Sequence, residues 1–432
     1  MEKKNKVSKQ RVLIIGGGFA GLNAAKKLDK ALYDVTIVDR NNYHSFPPLF
    51  YQIASSGLDP GNISFPLRRE VKRIKDVTYK MGSVRVIDPV AKTITTQFET
   101  IGYDKLIIAA GTTNNYFGMD YLKEKVYTLK SINQAIRLKS EILERLERAC
   151  LCKSPEERRK LLSFTVIGAG PTGVEIAGAL GEMKRYILQR EYPEIQKDEV
   201  TVTIIEGTDR VLGTMSRESS EKAFQYLGHL MVDVQLGKTM VSYEDNIVTL
   251  SNGETKYSEV LIWTAGITAE KINGFATDTF GPGGRFIVND FNQVKGYEDS
   301  IYAVGDIAYL TSPKYTRGYP QLAQVAIQQS HNLCRNLNEG KFKHTFKYND
   351  KGSMATVGRN RAVADLNHVH LYGRIAWLIW MFIHLISILG LRNRISTLIN
   401  WIWAYFTYST SLRLVLRPQK YPRRHNWDLT ND

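Results

Sequence analysis

The stretch from Arg11 to Arg40, RVLIIGGGFAGLNAAKKLDKALYDVTIVDR, leaves a chain few ways to fold. An apolar run from Val12 to Ile15 meets a glycine turn, a helical segment follows, and a second apolar strand from Val35 to Val38 ends in Asp39. That order predicts one βαβ unit. The spacing Gly16-x-Gly18-x-x-Gly21 supplies a tight turn, close backbone approach to a pyrophosphate, and close packing of helix on strand. The phosphates sit best at the helix N-terminus, where unpaired N–H groups and the helix dipole favour an anion. Asp39 then stands where it can accept hydrogen bonds from an adenosine ribose. Glycines after a strand also occur in ordinary α/β turns, but here strand, helix, second strand and acid are all in place.

A second copy changes the question. Phe164 to Gly173, FTVIGAGPTG, repeats the strand and the glycines Gly168, Gly170 and Gly173, and a further strand from Val202 to Ile205 ends in Glu206. Two such units imply two dinucleotides, and the common chemical reason to bind two is to pass a hydride from a nicotinamide to a flavin. The units also close alike. Tyr103 to Gly111, YDKLIIAAG, and Glu259 to Ile267, EVLIWTAGI, are apolar strands ending in small residues, which lets a backbone approach closely. The expected fold is therefore α/β, with two Rossmann-like dinucleotide-binding domains, one inserted in the other.

At 432 residues the chain is long enough for two to three domains with sizeable cores. Its formal net charge of +15 suggests an anionic partner: nucleic acid, an acidic protein, or an anionic membrane surface. Three cysteines, Cys150, Cys152 and Cys334, are too few and too irregularly spaced for a disulfide framework or a zinc site. The N-terminal MEKKNKVSKQ is basic and lacks the apolar run of a signal peptide, so the catalytic part is expected on the cytoplasmic side.

Between the two units, Asn42 to Ser56 reads as an aromatic, proline-rich loop in which Pro47 and Pro48 oppose regular structure, and which either packs on the sheet or walls a flavin and carries His44. The alternation in Val77 to Val90 and Lys92 to Phe98 predicts strands of a small sheet. A charged helix is expected over Ser131 to Ala149, opened by a capping box of Ser131 and Gln134, and another after Ser154, with Pro155 in its first turn. Later, SIYAVGDIA places Asp306 after a strand and a glycine, where it either reaches a ribitol or ribose hydroxyl or caps the next helix. In PQLAQVAIQQSHN, helical spacing gathers Gln321, Gln324, Gln328 and His331 near one face and turns Leu322, Val325, Ala326 and Gln329 elsewhere. A neutral amide there would suit a carbonyl-bearing acceptor.

The C-terminal tail differs from everything before it. Ile375 to Leu391 is apolar nearly all round, and Ile395 to Tyr408 is rich in Trp and Tyr. Each is shorter than the roughly 20 residues that span a bilayer. Arg392 and Arg394 separate them, and Arg413, Arg417, Lys420, Arg423 and Arg424 follow. Aromatic and apolar faces beside arginines describe helices lying in the interface of an anionic membrane. A buried dimer interface and a hairpin through the bilayer stay open as alternatives.

The order GGGFAG, YHSFPPLFYQ, IIAAGT, GAGPTGVE, WTAGI, AVGDIA, LAQVAIQQ and an aromatic basic C-terminus resembles the type II NADH dehydrogenases, single-chain flavoproteins that pass electrons from NADH to a membrane quinone without pumping protons. The resemblance covers the chain from about Val12 to Arg417. It implies that Gly16, Gly18, Gly21, Asp39 and Arg40 bind the ADP part of a non-covalent FAD, with Ala110, Gly111, Asp306, Ala323 and Gln324 completing that site. It implies that Gly168, Gly170, Gly173, Glu206 and Gly266 bind NADH, the Glu206 carboxylate favouring a free 2′-hydroxyl over a 2′-phosphate. It further implies catalytic places for Glu175 between nicotinamide and flavin, for Gln324 and Gln328 at a quinone pocket, and for Lys351 near the same end of the flavin.

On this reading the chain divides into a first FAD part (1–160), an NADH domain (161–272), a second FAD part (273–345) and a C-terminal membrane-anchoring region (346–432). The expected protein is a peripheral NADH:quinone oxidoreductase on the cytoplasmic face of a bacterial cell membrane, with homodimerisation left open and no nucleic acid as partner. The flavin carries the chemistry, so no metal or Ser/His/Asp constellation is required. A sulfide:quinone reductase would need reactive cysteines at the flavin, and the glycine motifs hold none. A ferredoxin-type NADH reductase would explain two cofactors and the basic charge but leave the aromatic tail without a role.

Overall fold

The computed structural model describes residues 9–367, 369–407 and 412–415. Two parallel sheets carry the chain. The first has five strands in the order Ile301–Ala303, Lys105–Ile108, Gln10–Ile15, Tyr33–Asp39, Val77–Met81, all parallel. The second has four, in the order Asp233–Leu236, Thr201–Glu206, Ser163–Ile167, Val260–Trp263, again parallel. Strands covered on both faces need continuous apolar runs, and Ile107, Ile108, Val166, Ile204 and Ile262 are fully buried. The first sheet takes its outermost strand, Ile301–Ala303, from beyond the second, so one unit is inserted in the other. The chain crosses out and back through an antiparallel ribbon of Thr112–Asn114 on Ile267–Ala269.

Local signals hold at the helix starts. The helix Ile132–Leu151 opens with the reciprocal Ser131–Gln134 box, and Pro155–Leu161 is capped by Ser154 with proline in its first turn. Two expectations need correction. The strand Val77–Met81 joins the large parallel sheet beside Tyr33–Asp39, and only Val84–Asp88, Thr93–Thr96 and Thr100–Gly102 form the small one. The proline-rich loop contains helix after all: Pro47 and Pro48 fill the first turn of a 3-10 segment, where a missing N–H costs nothing, and Phe50–Ala54 follows as an α-helix.

The C-terminal region is a three-stranded antiparallel sheet, Ser353–Thr356, Ala362–Leu366 and Val369–Tyr372, followed by helices Gly373–Ser387 and Leu391–Thr407. Arg392 and Arg394 thus lie in the first turn of the second tail helix, not between the two. Neither helix is isolated from the body. Ala376 and Trp380 of the first, and Asn393, Thr397 and Trp401 of the second, are buried. Outward, Ile375, Leu378, Phe382 and Ile386 form one apolar stripe, and Ile395, Ile399, Ile402 and Phe406 another, with Phe406 77% exposed. Among the described residues no helix is long and apolar enough to cross a membrane. The N-terminal residues 1–8 and Tyr408, Arg417, Lys420, Arg423 and Arg424 lie outside the described residues.

Among the described residues Trp380 is the largest fully buried side chain, and it stacks on His384 at 3.9 Å. Replacing it by alanine removes about 3–5 kcal/mol of packing. Limited proteolysis of Trp380→Ala should cut rapidly beyond residue 372 while the two parallel sheets stay protected, and an unchanged cleavage rate would count against this anchoring role.

Candidate active site

Both glycine turns are shaped by the same close approaches. At Gly16, with φ +100°, a Cβ would stand 2.3 Å from the Ala109 carbonyl oxygen, and at Gly168, with φ +96°, 2.6 Å from Ala265 Cα. The small residues ending YDKLIIAAG and EVLIWTAGI are therefore what each first glycine touches. At Gly18 and Gly170, by contrast, a Cβ would meet nothing within 4 Å. Each of these residues is the N-cap of its helix, Phe19–Lys27 or Pro171–Glu182, with no side-chain cap and no acid in the first turn. Open space before uncapped N–H groups suits an anion, so the residues present fit two dinucleotide pyrophosphates.

The acids that end the second strands are tied in alike. Asp39 accepts the Gly17 N–H at 2.6 Å and the Asn41 N–H at 2.7 Å; Glu206 accepts the Ala169 N–H at 2.7 Å and the Thr208 N–H at 2.9 Å. Each carboxylate closes its own glycine turn. Burial raises the pKa of Asp39, and the hydrogen bonds from Gly17 and Asn41 and the charge of Arg40 work against that rise. Arg40 pairs with Glu270 at 3.2 Å, just past the crossing ribbon. The His44 Nδ1–H donates to the Gly17 carbonyl at 2.9 Å, and burial lowers the imidazole pKa.

Asp306 sits in a 3-10 turn, Gly305–Ile307, and does not cap the next helix. Burial raises its pKa, opposed by the charge of Lys130, by the Thr112 hydroxyl at 3.4 Å, and by Arg285. Lys130, itself pushed down by burial, donates to Thr112 at 2.9 Å. Gln321 precedes the helix Ala323–Glu339 and donates to the Asp306 carbonyl at 3.0 Å. Gln329 is buried within that helix and accepts the Gly305 N–H at 2.7 Å. Sequence reasoning placed Gln329 off the glutamine face but did not see that it pins the Asp306 turn, nor did it single out Lys130.

Gln324 and Gln328 do share a face, and their amides are already paired. Gln324 donates to Gly352 O at 3.0 Å and accepts the Lys351 N–H at 3.1 Å; Gln328 donates to Asn349 O and accepts the Asn349 N–H, both at 2.9 Å. They form a two-rung clasp on the segment carrying Lys351, whose side chain is exposed. Glu175 stands at the other end of the strand Ser353–Thr356 that starts from this clasp, about 10 Å along it.

Glu175 is buried on the second glycine helix and accepts only a long bond from the Thr356 N–H, 3.5 Å. Burial holds its carboxyl well above the usual glutamate range. The Thr356 hydroxyl bonds the Tyr51 hydroxyl at 2.8 Å, Gln52 donates to Tyr51 at 3.1 Å, and the Trp401 indole donates to Gln52 at 2.8 Å. A polar chain thus runs from beside Glu175 to the second tail helix. It borders a cleft of about 160 Å³ between the tail helices and the second glycine helix, walled by Tyr51, Ala179, Trp377, Trp380, Trp401 and Tyr405. Tyr51 and Gln52 lie within the aromatic loop read from sequence, but no periodicity marks them, because they act through a strand 300 residues away.

Two glycine-turn cradles thus sit on an inserted pair of parallel sheets. A model of the pyridine nucleotide-disulphide oxidoreductase family matches residues 10–330, and a model of the NDH2 C-terminal domain matches residues 351–408. The type II NADH:quinone oxidoreductase Ndh of Mycobacterium tuberculosis is 35% identical over 413 residues, covering 91% of this chain and 87% of the relative. The chain belongs to the type II NADH:quinone oxidoreductases, within the pyridine nucleotide-disulphide oxidoreductase family. It is an FAD enzyme that oxidises NADH and reduces quinone. In fold it matches NDH2 from Plasmodium falciparum in complex with NADH, with a TM-score of 0.86 at 22% identity, covering 95% of this chain and 100% of that one. The sulfide:quinone oxidoreductase of Aquifex aeolicus is more distant, with a TM-score of 0.71 at 18% identity over 93% of this chain and 96% of that one.

Burial of Glu175 has a consequence for stability. Its pKa is higher folded than unfolded, so its contribution is complete below about 4.5, the ordinary glutamate value, and is lost as pH rises from there through the elevated folded pKa. Glu175→Gln removes this loss. The thermal midpoint of the variant should exceed that of the parent by a margin that grows from pH 5 to pH 9, and two parallel curves would contradict the buried carboxyl.

Proposed function

We propose that the enzyme runs a relay in which the two glycine turns, Glu175 and the tail-side cleft each have a separate task. FAD held at the first turn would supply the redox chemistry, a hydride acceptor for NADH and a two-electron donor for quinone. The first turn, with Gly16, Gly18, Gly21 and Asp39, holds its ADP part, helped by Arg40, Ala110 and Gly111; Asp306, steadied by Lys130 and Gln329, faces the ribityl and pyrophosphate region, beside Ala323 at the helix start. Gly168, Gly170, Gly173 and Gly266 hold NADH, and the Glu206 carboxylate accepts from a free ribose hydroxyl and repels a 2′-phosphate.

The observation that carries the reading is the dry, nearly unpartnered carboxyl of Glu175 on the helix whose start receives NADH. With Oε1 facing the Thr356 N–H, Oε2 is left to orient the nicotinamide or to pass a proton toward the quinone. Quinone enters through the cleft under the tail helices, whose aromatic wall of Tyr51, Trp377, Trp380, Trp401 and Tyr405 suits a flat lipid-soluble ring. Gln324 and Gln328 act from the flavin side as the clasp that fixes the segment of Lys351 and, with it, the strand that carries Thr356 to Glu175. The outer stripes of the tail helices, flanked by Arg392 and Arg394, dock on an anionic membrane surface. This makes a peripheral enzyme on the cytoplasmic face of a bacterial cell membrane. The domain limits at 160, 272 and 345 belong to the same proposal.

Stopped-flow absorbance of the purified yellow protein tests the relay. NADH should bleach the flavin rapidly, NADPH slowly, and a short-chain quinone should restore the colour; bleaching without reoxidation by quinone would reject the cleft as an acceptor site. Glu206→Gln should keep the Ala169 contact through its amide oxygen and lose the repulsion. The preference for NADH over NADPH in kcat/KM should narrow about tenfold, and an unchanged ratio would remove Glu206 from specificity.

A further inference from the structure

Glu182 ends the second glycine helix, seven residues and about two turns beyond Glu175, so the two carboxylates share a face. Between them lies Gly178, where a Cβ would come within 3.0 Å of the Gly358 nitrogen and 3.2 Å of Val357. Helix and loop therefore meet at backbone contact, and the next residue of that loop is Arg359. Its N–H donates to Glu182 Oε2 at 3.0 Å, and its Nε lies 3.5 Å from Glu182 Oε1. The other end of the guanidinium turns to the second tail helix: Nη1 donates to Tyr405 O at 2.8 Å and Nη2 to Ala404 O at 2.6 Å, with the fork 5.4 Å over the Tyr405 ring.

Those carbonyls belong to the last turn of Leu391–Thr407, where intrahelical donors run out and a cation is favoured. One side chain thus joins the helix that starts at the NADH turn to the end of a tail helix. The pair is largely shielded, with side chains 15% and 18% exposed. A shielded ion pair is an expensive fastening unless each charge is well bonded, and an apolar contact would hold two helices more cheaply. Immediately after Glu182 the backbone widens into a π-turn, Met183–Ile187, a distortion common at functional sites, and Ile187 reaches the cleft wall. Glu182, Arg359, Ala404 and Tyr405 line the same cleft.

We infer that Glu182 and Arg359 are a positioning pair for the quinone half of the reaction, holding the last turn of the second tail helix so that the cleft keeps the shape of a quinone ring. This rests on the cleft being the route of the acceptor. The pair stands at the end of the second glycine helix opposite its Gly170 start, so its loss is expected to spare the NADH half.

The test uses the full-length, FAD-loaded enzyme and reads each half-reaction by stopped flow, with NADH as donor and a short-tailed quinone as acceptor. Arg359→Met should leave NADH bleaching within about twofold and raise the KM for quinone about tenfold or more, because small misplacements of a substrate wall are strongly felt. Arg359→Lys, which keeps the charge and loses the fork, should fall between. Should Arg359→Met fail to fold, Glu182→Gln gives the same split. Bleaching and reoxidation slowed together, or a quinone KM unchanged in a folded variant, would overturn the inference. Ala179→Leu separates it from its premise by narrowing the cleft from the helix side. If that variant blocks quinone while Arg359→Met does not, the route stands and the pair has no positioning role; if it leaves quinone reoxidation intact, the route itself is wrong and the inference falls with it.

Discussion

Nothing but hydrogen fits between Gly16 and the Ala109 carbonyl, 2.3 Å from the position of a Cβ, and the first half of the molecule hangs on that gap. Because strand and turn touch there, Gly21 can come within 1.8 Å, Cβ position to oxygen, of the Gly16 carbonyl, and the helix is drawn down onto the strand that feeds it. The helix start then faces open space with its N–H groups uncapped. The second half repeats each contact with Gly168, Ala265 and Gly173. In both, a carboxylate from the neighbouring strand closes the turn through one backbone N–H, so the turn that suits an anion is held by the protein's own bonds.

Four carboxylates of the glycine turns and the tail-side cleft, Asp39, Asp306, Glu182 and Glu175, sit in low-dielectric surroundings with very different partners. Asp39 takes two short backbone bonds, Asp306 has Lys130, Thr112 and Arg285 around it, and Glu182 has Arg359. Glu175 has one bond of 3.5 Å. Desolvation raises the pKa of all four, but only in Glu175 is so little set against it. A group left that unsatisfied on the helix that begins at the nucleotide turn is a cost to folding, and such costs gather where chemistry is done.

The two glycine turns, their closing acids, the insertion and the capped helices were legible because each depends on residues close in sequence or on a repeated pattern. Val77–Met81 was misplaced because an edge strand of a parallel sheet carries the same alternation as a strand of a small antiparallel one. Gln324 and Gln328 were recognised as a pair, yet what they grip, the backbone of 349–352, is set by tertiary placement alone. The same holds for Tyr51, Gln52, Thr356 and Trp401, which form one chain of bonds from three distant segments. Arg359 gave no local signal either: its meaning comes from the helix end that it reaches.

The tail resolves a tension between two demands. A helix buried against the body wants an apolar face inward, and a helix that meets a lipid surface wants one outward; Gly373–Ser387 carries both, which is why Ile375 to Leu391 reads as apolar nearly all round, whereas Leu391–Thr407 turns Asn393, Thr397 and Trp401 inward. The inward face is held by directed contacts and not by greasy packing alone: Trp401 on Gln52, Asn393 on the Ser64 carbonyl at 2.9 Å, and the Ala404 and Tyr405 carbonyls on Arg359. These bonds fix the rotation of the second helix about its own axis, and rotation decides which residues face the cleft and which face out. That orientation matters twice in the proposed relay, because the helix that would rest on the bilayer also walls the cleft proposed for the acceptor. Docking and access are then one structural property, set by a few polar contacts on an otherwise apolar element.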